Sequence, residues 1–310
     1  MILIAILLVV LVVLLAISYE AFRRASIAKK PISMDDEEQL KKHDRWAPLT
    51  LETVRWLRKH HSRELTMISF DGLKLRGRWV AAENPRGTIL LVHGWNGRVE
   101  SDFTGIIPAC YEMGMNLLMI DQRAQNGSQG KYMTFGVKES QDVADWVRFH
   151  NKTFGDLPLV LGGVSMGAAT VLMATGRELP PNVCGVVADC GFTSPWEIFK
   201  DVAKRKAHIP TFPILYFVRF WCQVLAGYDP KAYSTVTAMK KNKLPVLLIH
   251  GLADDFVPCH MSQTNYDACQ SVKDIVLVES AGHAWSYLTA PERCREALEK
   301  FFAANLQQKG

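Results

Sequence analysis

The chain has 310 residues, 48% of them hydrophobic and 22% charged, a balance that excludes a disordered protein and supplies a sizeable core. Its net charge is +5, but no Lys/Arg stripe with interleaved aromatics is present, which argues against a nucleic-acid partner. The 7 cysteines are odd in number and form no C-x-x-C pair, against a disulfide scaffold, a zinc site or a thioredoxin-type redox motif.

Met1 to Ile17 carries no charged or strongly polar side chain. As a helix this run spans roughly 25 Å, at the short end of what crosses a hydrocarbon core. Arg23, Arg24, Lys29 and Lys30 follow it. A cleaved signal peptide needs positive charge before the apolar run, so an uncleaved single-pass anchor over 1–19 is expected. A cleaved signal and a buried helix are the alternatives. The basic flank then places the remaining chain in the cytoplasm. Residues 20–63 read as a charged tether and a short helix capped by Thr50, with "MDDEEQLKKHDRW" solvated. A chain starting near Met34 is therefore expected to be soluble and to keep its activity.

From residue 64 the pattern changes. "ELTMISFDGLKLRGRWVAA" reads as two strands around Asp71-Gly72. "GTILLVHG" is a continuous apolar run, as in a strand buried on both faces. Helical and strand-like segments then alternate: a helix within 102–113, a strand at 116–121, a helix within 137–153, a strand at 157–164, a helix within 167–178 and a strand at 183–189. After a gap come a strand at 244–251, a helix near 260–270, a strand at 274–280 and a last helix over 291–303. This is an α/β class, a doubly wound and mostly parallel sheet over 64–310 with an antiparallel hairpin at one edge. Residues 191–243 interrupt the alternation with aromatics and prolines. They leave from a strand end, where a pocket belongs, so a helical cap is expected, with Phe192, Trp196, Phe217, Phe220 and Trp221 against substrate.

"VLGGVSMGAAT" contains G-x-S-x-G at 163–167. A buried strand precedes Ser165 and a small-residue helix follows, so the serine stands on a sharp strand-to-helix turn with its oxygen clear of the sheet. Flanking glycines prevent clashes there, and the helix N-terminus favours developing negative charge. A serine nucleophile needs a base. His283, in "ESAGHAW" after the last strand, is the best placed. His260 is the rival, while His93 and His250 precede glycines at strand ends and suit loop support. The base needs a carboxylate: "HGLADDFVP" offers Asp254 and Asp255, and Asp189 ends an earlier strand with turn capping as its plain role. Two backbone N–H groups, of Met166 and of Trp95 in "LLVHGW", suit an oxyanion hole.

In this order "LVHGW", "DQRAQNGSQG", "GVSMG", "HGLADDFVP" and "AGHAW" resemble the α/β-hydrolase fold serine hydrolases. More narrowly, "VVADCGF" and the N-terminal anchor resemble the membrane-anchored bacterial BEM46-like and serine aminopeptidase-like group. The resemblance implies Ser165 as nucleophile, His283 as base and Asp254 as acid, at the G-x-x-D position counted from Gly251. It also implies Trp95 and Met166 as oxyanion donors. Gln125 stands where such chains often have histidine. The expected activity is a carboxylic ester hydrolase (carboxylesterase or lipase-like) working through an acyl-enzyme on a small ester with an apolar acyl group. It needs no cofactor and no metal. An aminopeptidase-like or amidase activity and a non-catalytic binding scaffold are the alternatives.

Overall fold

A strand apolar on both faces needs a packed layer on each side. In β3 (Gly87–Val92), Ile89 and Leu91 enter one core layer while Leu90 enters the other. β4 (Met115–Ile120) repeats this, with Leu117 and Met119 against Leu118 and Ile120. The computed structural model describes residues 1–30, 38 and 46–306. The remaining strands are β1 (Arg63–Ile68), β2 (Lys74–Val80), β5 (Leu159–Val164), β6 (Val183–Asp189), β7 (Val246–Gly251) and β8 (Lys273–Val278). Their spatial order is β1-β2-β4-β3-β5-β6-β7-β8. β1 and β2 form the antiparallel hairpin, and β2 joins β4 antiparallel. From β4 to β8 every neighbouring pair is parallel. The ends of β3, β5, β7 and β8 therefore face one way and gather their following loops on one edge.

The helices are α1 (Ile2–Ser26), α2 (Ala47–Lys59), α3 (Val99–Asp102), α4 (Ile106–Glu112), α5 (Glu139–Phe154) and α6 (Met166–Ala174). They continue as α7 (Pro195–Arg205), α8 (Ile214–Leu225), α9 (Thr235–Met239), α10 (His260–Ala268), α11 (Ser286–Thr289) and α12 (Pro291–Asn305). The helix expected within 102–113 is broken into α3 and α4, because Gly105 takes φ 76°. Thr50 does not cap α2. It lies inside the helix, buried, with its hydroxyl 3.1 Å from that of Thr104. Most of the charged stretch 34–46 lies outside the described residues.

The insertion between β6 and β7 is helical. Ser194 caps α7 by accepting the Glu197 N–H at 3.1 Å. The unexpected contact belongs to α1, which does not end at residue 19. Its first half is exposed and apolar, and its last turns pack on the domain. Phe22, 1% exposed, sits among Leu215, Val218, Cys222 and Tyr228. The Trp221 indole N–H donates to the Ser18 hydroxyl at 3.1 Å, and Tyr19 meets the Trp221 ring edge-on at 5.4 Å. Residues 18–26 thus pack on the folded domain, because Phe22 completes the apolar cluster that α8 forms with Tyr228 and Tyr132.

Candidate active site

The corner between β5 and α6 is strained where the sequence says it should be. Ser165 has φ 55° and ψ −116°, a conformation costing about 1–3 kcal/mol in a non-glycine residue. Its N–H donates to the Asp189 carbonyl at 2.9 Å, and its carbonyl accepts from Ala169 at 3.0 Å. The flanking glycines serve close approach. A Cβ on Gly167 would overlap the Val92 carbonyl, and one on Gly163 would overlap the Gly167 backbone. Helix α6 can therefore start directly against β3, under the serine.

His283, Asp254 and Ser165 are brought together from three separate loops. The Ser165 Oγ lies 2.8 Å from His283 Nε2, and His283 Nδ1 lies 2.7 Å from Asp254 Oδ2. Because Asp254 Oδ2 can only accept while ionised, Nδ1 carries the proton and Nε2 is left to accept from the serine. The other carboxylate oxygen accepts the N–H groups of Phe256 at 2.8 Å and Val257 at 2.9 Å. Burial pushes the Asp254 carboxyl up, but the hydrogen bonds from His250, His283 and Phe256 outweigh it and hold it well below the usual carboxylate range. His250 is fully buried, with Nδ1 2.6 Å from the Ser262 hydroxyl and Nε2 3.0 Å from the Val257 carbonyl and 3.3 Å from Asp254. Two acceptors around Nε2 place its proton there, so Nδ1 accepts from Ser262. His250 is a support for the acid loop, while His93 hydrogen-bonds Gly94 and Gln122 behind β3.

The rival candidates lie elsewhere. His260 is exposed at the start of α10. Asp255 is exposed and pairs with Lys206 at 2.7 Å. Asp189 is buried and accepts from the Ser286 hydroxyl at 2.9 Å rather than capping its own turn, since Ser286 on α11 reaches it first. Burial raises the Asp189 carboxyl to about 6. A raised folded-state value favours the fold below the carboxylate range, and that advantage is lost as pH rises through about 6. Asp189→Asn keeps an acceptor for Ser286 and removes the ionisation. It is expected to stabilise the protein by about 3 kcal/mol at pH 8 and by little at pH 4. Melting curves at both pH values in detergent check this, and a gain independent of pH would refute it.

Sequence reasoning missed Cys190. One ligand atom each from Cys190, Asp254 and His283 lie within 4.8 Å of one another. Burial and the neighbouring Asp189 and Asp254 push the Cys190 thiol well above its ordinary range, so it stays a neutral S–H. Both His283 nitrogens are already engaged, which fits a hydrogen-bonded relay better than a metal site.

The loop after β3 is held from three sides. The Gly94 N–H donates to Asp102 at 2.6 Å, and a Cβ on Gly94 would lie 3.2 Å from the Ser165 Cβ. Burial raises the Asp102 carboxyl. Gln125 accepts the Asn96 N–H at 2.8 Å and so clamps this loop. The third support is α1. The Trp95 indole N–H donates to the Ala25 carbonyl at 2.7 Å, and Asn96 Oδ1 accepts the Lys29 N–H at 2.8 Å. Among the described residues, no acceptor takes the backbone N–H of Trp95 or Met166. At Met166 this is the free first N–H of α6.

Ser165, Met166 and Trp95 open into an apolar cavity of about 710 Å³. Of the five cap aromatics expected there, only Phe192 lines it. Trp196 packs on Tyr216, Trp221 on Tyr19 and Ser18, and Phe220 is 44% exposed. Phe217 also lies outside the lining. The reason is the rotation of α8. It turns Ile214, Leu215 and Val218 inward, and the aromatic face goes to α1 and to solvent. Part of the wall comes from α1 itself, through Ala16, Ile17, Glu20, Ala21, Arg24 and Ala25.

This sheet order, the serine corner and the loops at the strand ends define the α/β-hydrolase fold, which the chain has. A family model described as alpha/beta hydrolase fold matches residues 87–210. The protein YqkD of Bacillus subtilis is 27% identical over 231 residues, 74% of this chain and 75% of that one. Among solved structures, the esterase Pf2001 of Pyrococcus furiosus is 19% identical with a TM-score of 0.68, covering 91% of this chain and 99% of that one. The acylaminoacyl peptidase of Pyrococcus horikoshii is 17% identical with a TM-score of 0.60, covering 83% and 44%.

Proposed function

We propose that this protein is a membrane-anchored serine hydrolase that cleaves carboxylic esters with an apolar acyl group. The observation that carries the reading is the chain of contacts from Asp254 through His283 to Ser165, 2.7 and 2.8 Å long, opening into an apolar cavity. In the reaction His283 Nε2 takes the Ser165 proton as Oγ attacks the acyl carbon. The oxyanion is received by the Trp95 and Met166 N–H groups. The ester C–O bond breaks, and His283 returns the proton to the leaving alcohol. Water then repeats the attack on the acyl-enzyme. Helix α1, apolar and exposed over its first half, is the anchor. Its basic flank at Arg23, Arg24, Lys29 and Lys30 puts the domain on the cytoplasmic side, which protease protection in intact cells tests.

The second reading, an amidase or aminopeptidase-like activity, needs a free carboxylate to hold a substrate amine. Glu20 lies at the cavity wall, but Arg23 and Arg24 hold it at 2.7 and 2.6 Å. A charged amine would lose its hydration there without a partner. Each buried methylene instead contributes about 0.8 kcal/mol. The test is a panel of p-nitrophenyl esters of increasing chain length beside aminoacyl p-nitroanilides. Ester turnover should rise with chain length and anilide turnover should stay poor. Efficient anilide cleavage with negligible ester turnover would favour the peptidase reading.

Asp254→Asn is expected to lower kcat by about 10³-fold or more, because it favours the wrong His283 tautomer. Asp255→Asn should leave turnover near the wild-type rate, and the reverse pattern would show the wrong carboxylate has been chosen. Asp254 stays ionised far into acid, so it adds no acid limb of its own. Activity should fall on acidification, because a protonated base cannot accept the serine proton. A kcat/KM unchanged from alkaline to acid pH would argue against a histidine base.

A further inference from the structure

We propose that the substrate is a long-chain acyl ester resident in the bilayer, and that it reaches Ser165 sideways along α1 without leaving the membrane. This rests on the hydrolase reading above and names its substrate class and entry route. Two independent features carry it. The first is that one helix is both membrane span and pocket wall. Residues 2–13 of α1 are apolar and exposed, and none of the described residues covers them. From Ala16 to Ala25 the same helix lines the cavity that ends at Ser165. That stretch rises about 14 Å, and its small residues Ala16, Ala21 and Ala25 leave room for a chain beside the backbone. A lipid acyl chain lying against the span would pass from hydrocarbon into an apolar cavity, so its methylenes would not cross water.

The second feature is the outer face of the cap. Phe212, Tyr216, Phe220 and Val224 are 73%, 48%, 44% and 60% exposed. They recur every four residues and so form one stripe along and just before α8, opposite the buried Leu215, Val218 and Cys222. Since α8 packs directly on α1, an apolar stripe and an apolar span lie side by side. The outer side also carries Arg219 and Gln223, and this mix of rings, aliphatic and polar groups beside a membrane anchor suits the boundary between headgroups and acyl chains. The charged pair of the cavity wall, Glu20 and Arg24, lies about one and two turns beyond Ile17, where a span begun at Ile2 leaves the hydrocarbon. The bond broken is the acyl C–O bond. The proton goes to the released alcohol, and water supplies the second oxygen of the fatty acid.

The test uses the full chain in phosphatidylcholine and phosphatidylglycerol vesicles. The probe 4-methylumbelliferyl palmitate is placed either in the same bilayer as the protein or in separate vesicles, with the soluble butyrate ester measured alongside. Palmitate in the same bilayer should be hydrolysed at least tenfold faster than palmitate offered in separate vesicles. Ala16→Trp, at an exposed position where the cavity meets the span, should lower the palmitate-to-butyrate ratio at least tenfold. Phe220→Asp, on the outer stripe, should lower it at least fivefold. Equal rates from the two vesicle arrangements, or butyrate turnover with palmitate inert, would overturn the lateral route and leave the hydrolase reading standing. No turnover of either ester, together with no fluorophosphonate labelling of Ser165, would overturn both.

Discussion

Ser165→Ala is expected to lower ester turnover by at least about 10³-fold and to abolish fluorophosphonate labelling without unfolding the protein. Its side-chain oxygen bonds His283 and faces the cavity, so removing it leaves no buried group without a partner other than His283, which is 24% exposed and can reach water. Alanine bears the same Cβ, so the strain at φ 55° is carried over and not worsened. His283→Ala should have an effect of similar size, and the double variant should be little worse than either single one. Residues that act as a unit fail together. Near-normal turnover by either purified, folded variant would sink the assignment. Additive losses in the double variant would mean that serine and histidine work in separate steps.

Removing α1 is expected to cripple the domain rather than release it. The sequence alone suggests that a chain starting near Met34 is soluble and active, but the packed end of α1 argues the opposite. Deletion uncovers Leu215, Val218 and Cys222, opens one wall of the cavity and takes the Ala25 carbonyl from the Trp95 indole. Losing the buried Phe22 ring alone costs about 3–5 kcal/mol. Phe22→Ala, which keeps the span, should therefore lower the melting temperature in detergent by about 10 °C. The chain lacking residues 1–33 should melt lower still or aggregate. It should retain less than about a tenth of the kcat/KM, because the loop bearing the Trp95 N–H loses its clamp. If that shortened chain melts and turns over like the full one, α1 is no working part of the folded domain.

The inner strands were legible because burial on both faces demands unbroken apolar runs, and "GTILLV", "NLLMI" and "VLLIHG" have no other plausible use in so short a segment. The serine corner was legible for a related reason. Only glycine can stand where Gly163 and Gly167 let a helix start against a neighbouring strand, so the steric demand leaves its mark in the sequence itself. The order of Ser165, Asp254 and His283 along the chain was readable from motifs. What separates Asp254 from its neighbour Asp255 physically is the two N–H groups of Phe256 and Val257, and these exist only once the loop has closed.

Tertiary structure alone decided which way each helix turns. The aromatics at Trp196, Phe217, Phe220 and Trp221 were expected against substrate, and α8 rotates them toward α1 and solvent instead. Helix α8 carries large apolar side chains on its outer side as well as its buried one, so its sequence does not say which aromatics meet substrate, and its neighbours decide. The same holds for α1. Its composition determines that it can span a membrane, but its run of uniformly apolar residues says nothing about which of them touch protein. Ser18, Phe22 and Ser26 became interior because α8 and the loop at Met133 lie there to receive them. The pocket wall is a product of that docking, since it is built from residues more than a hundred positions apart that no local pattern connects.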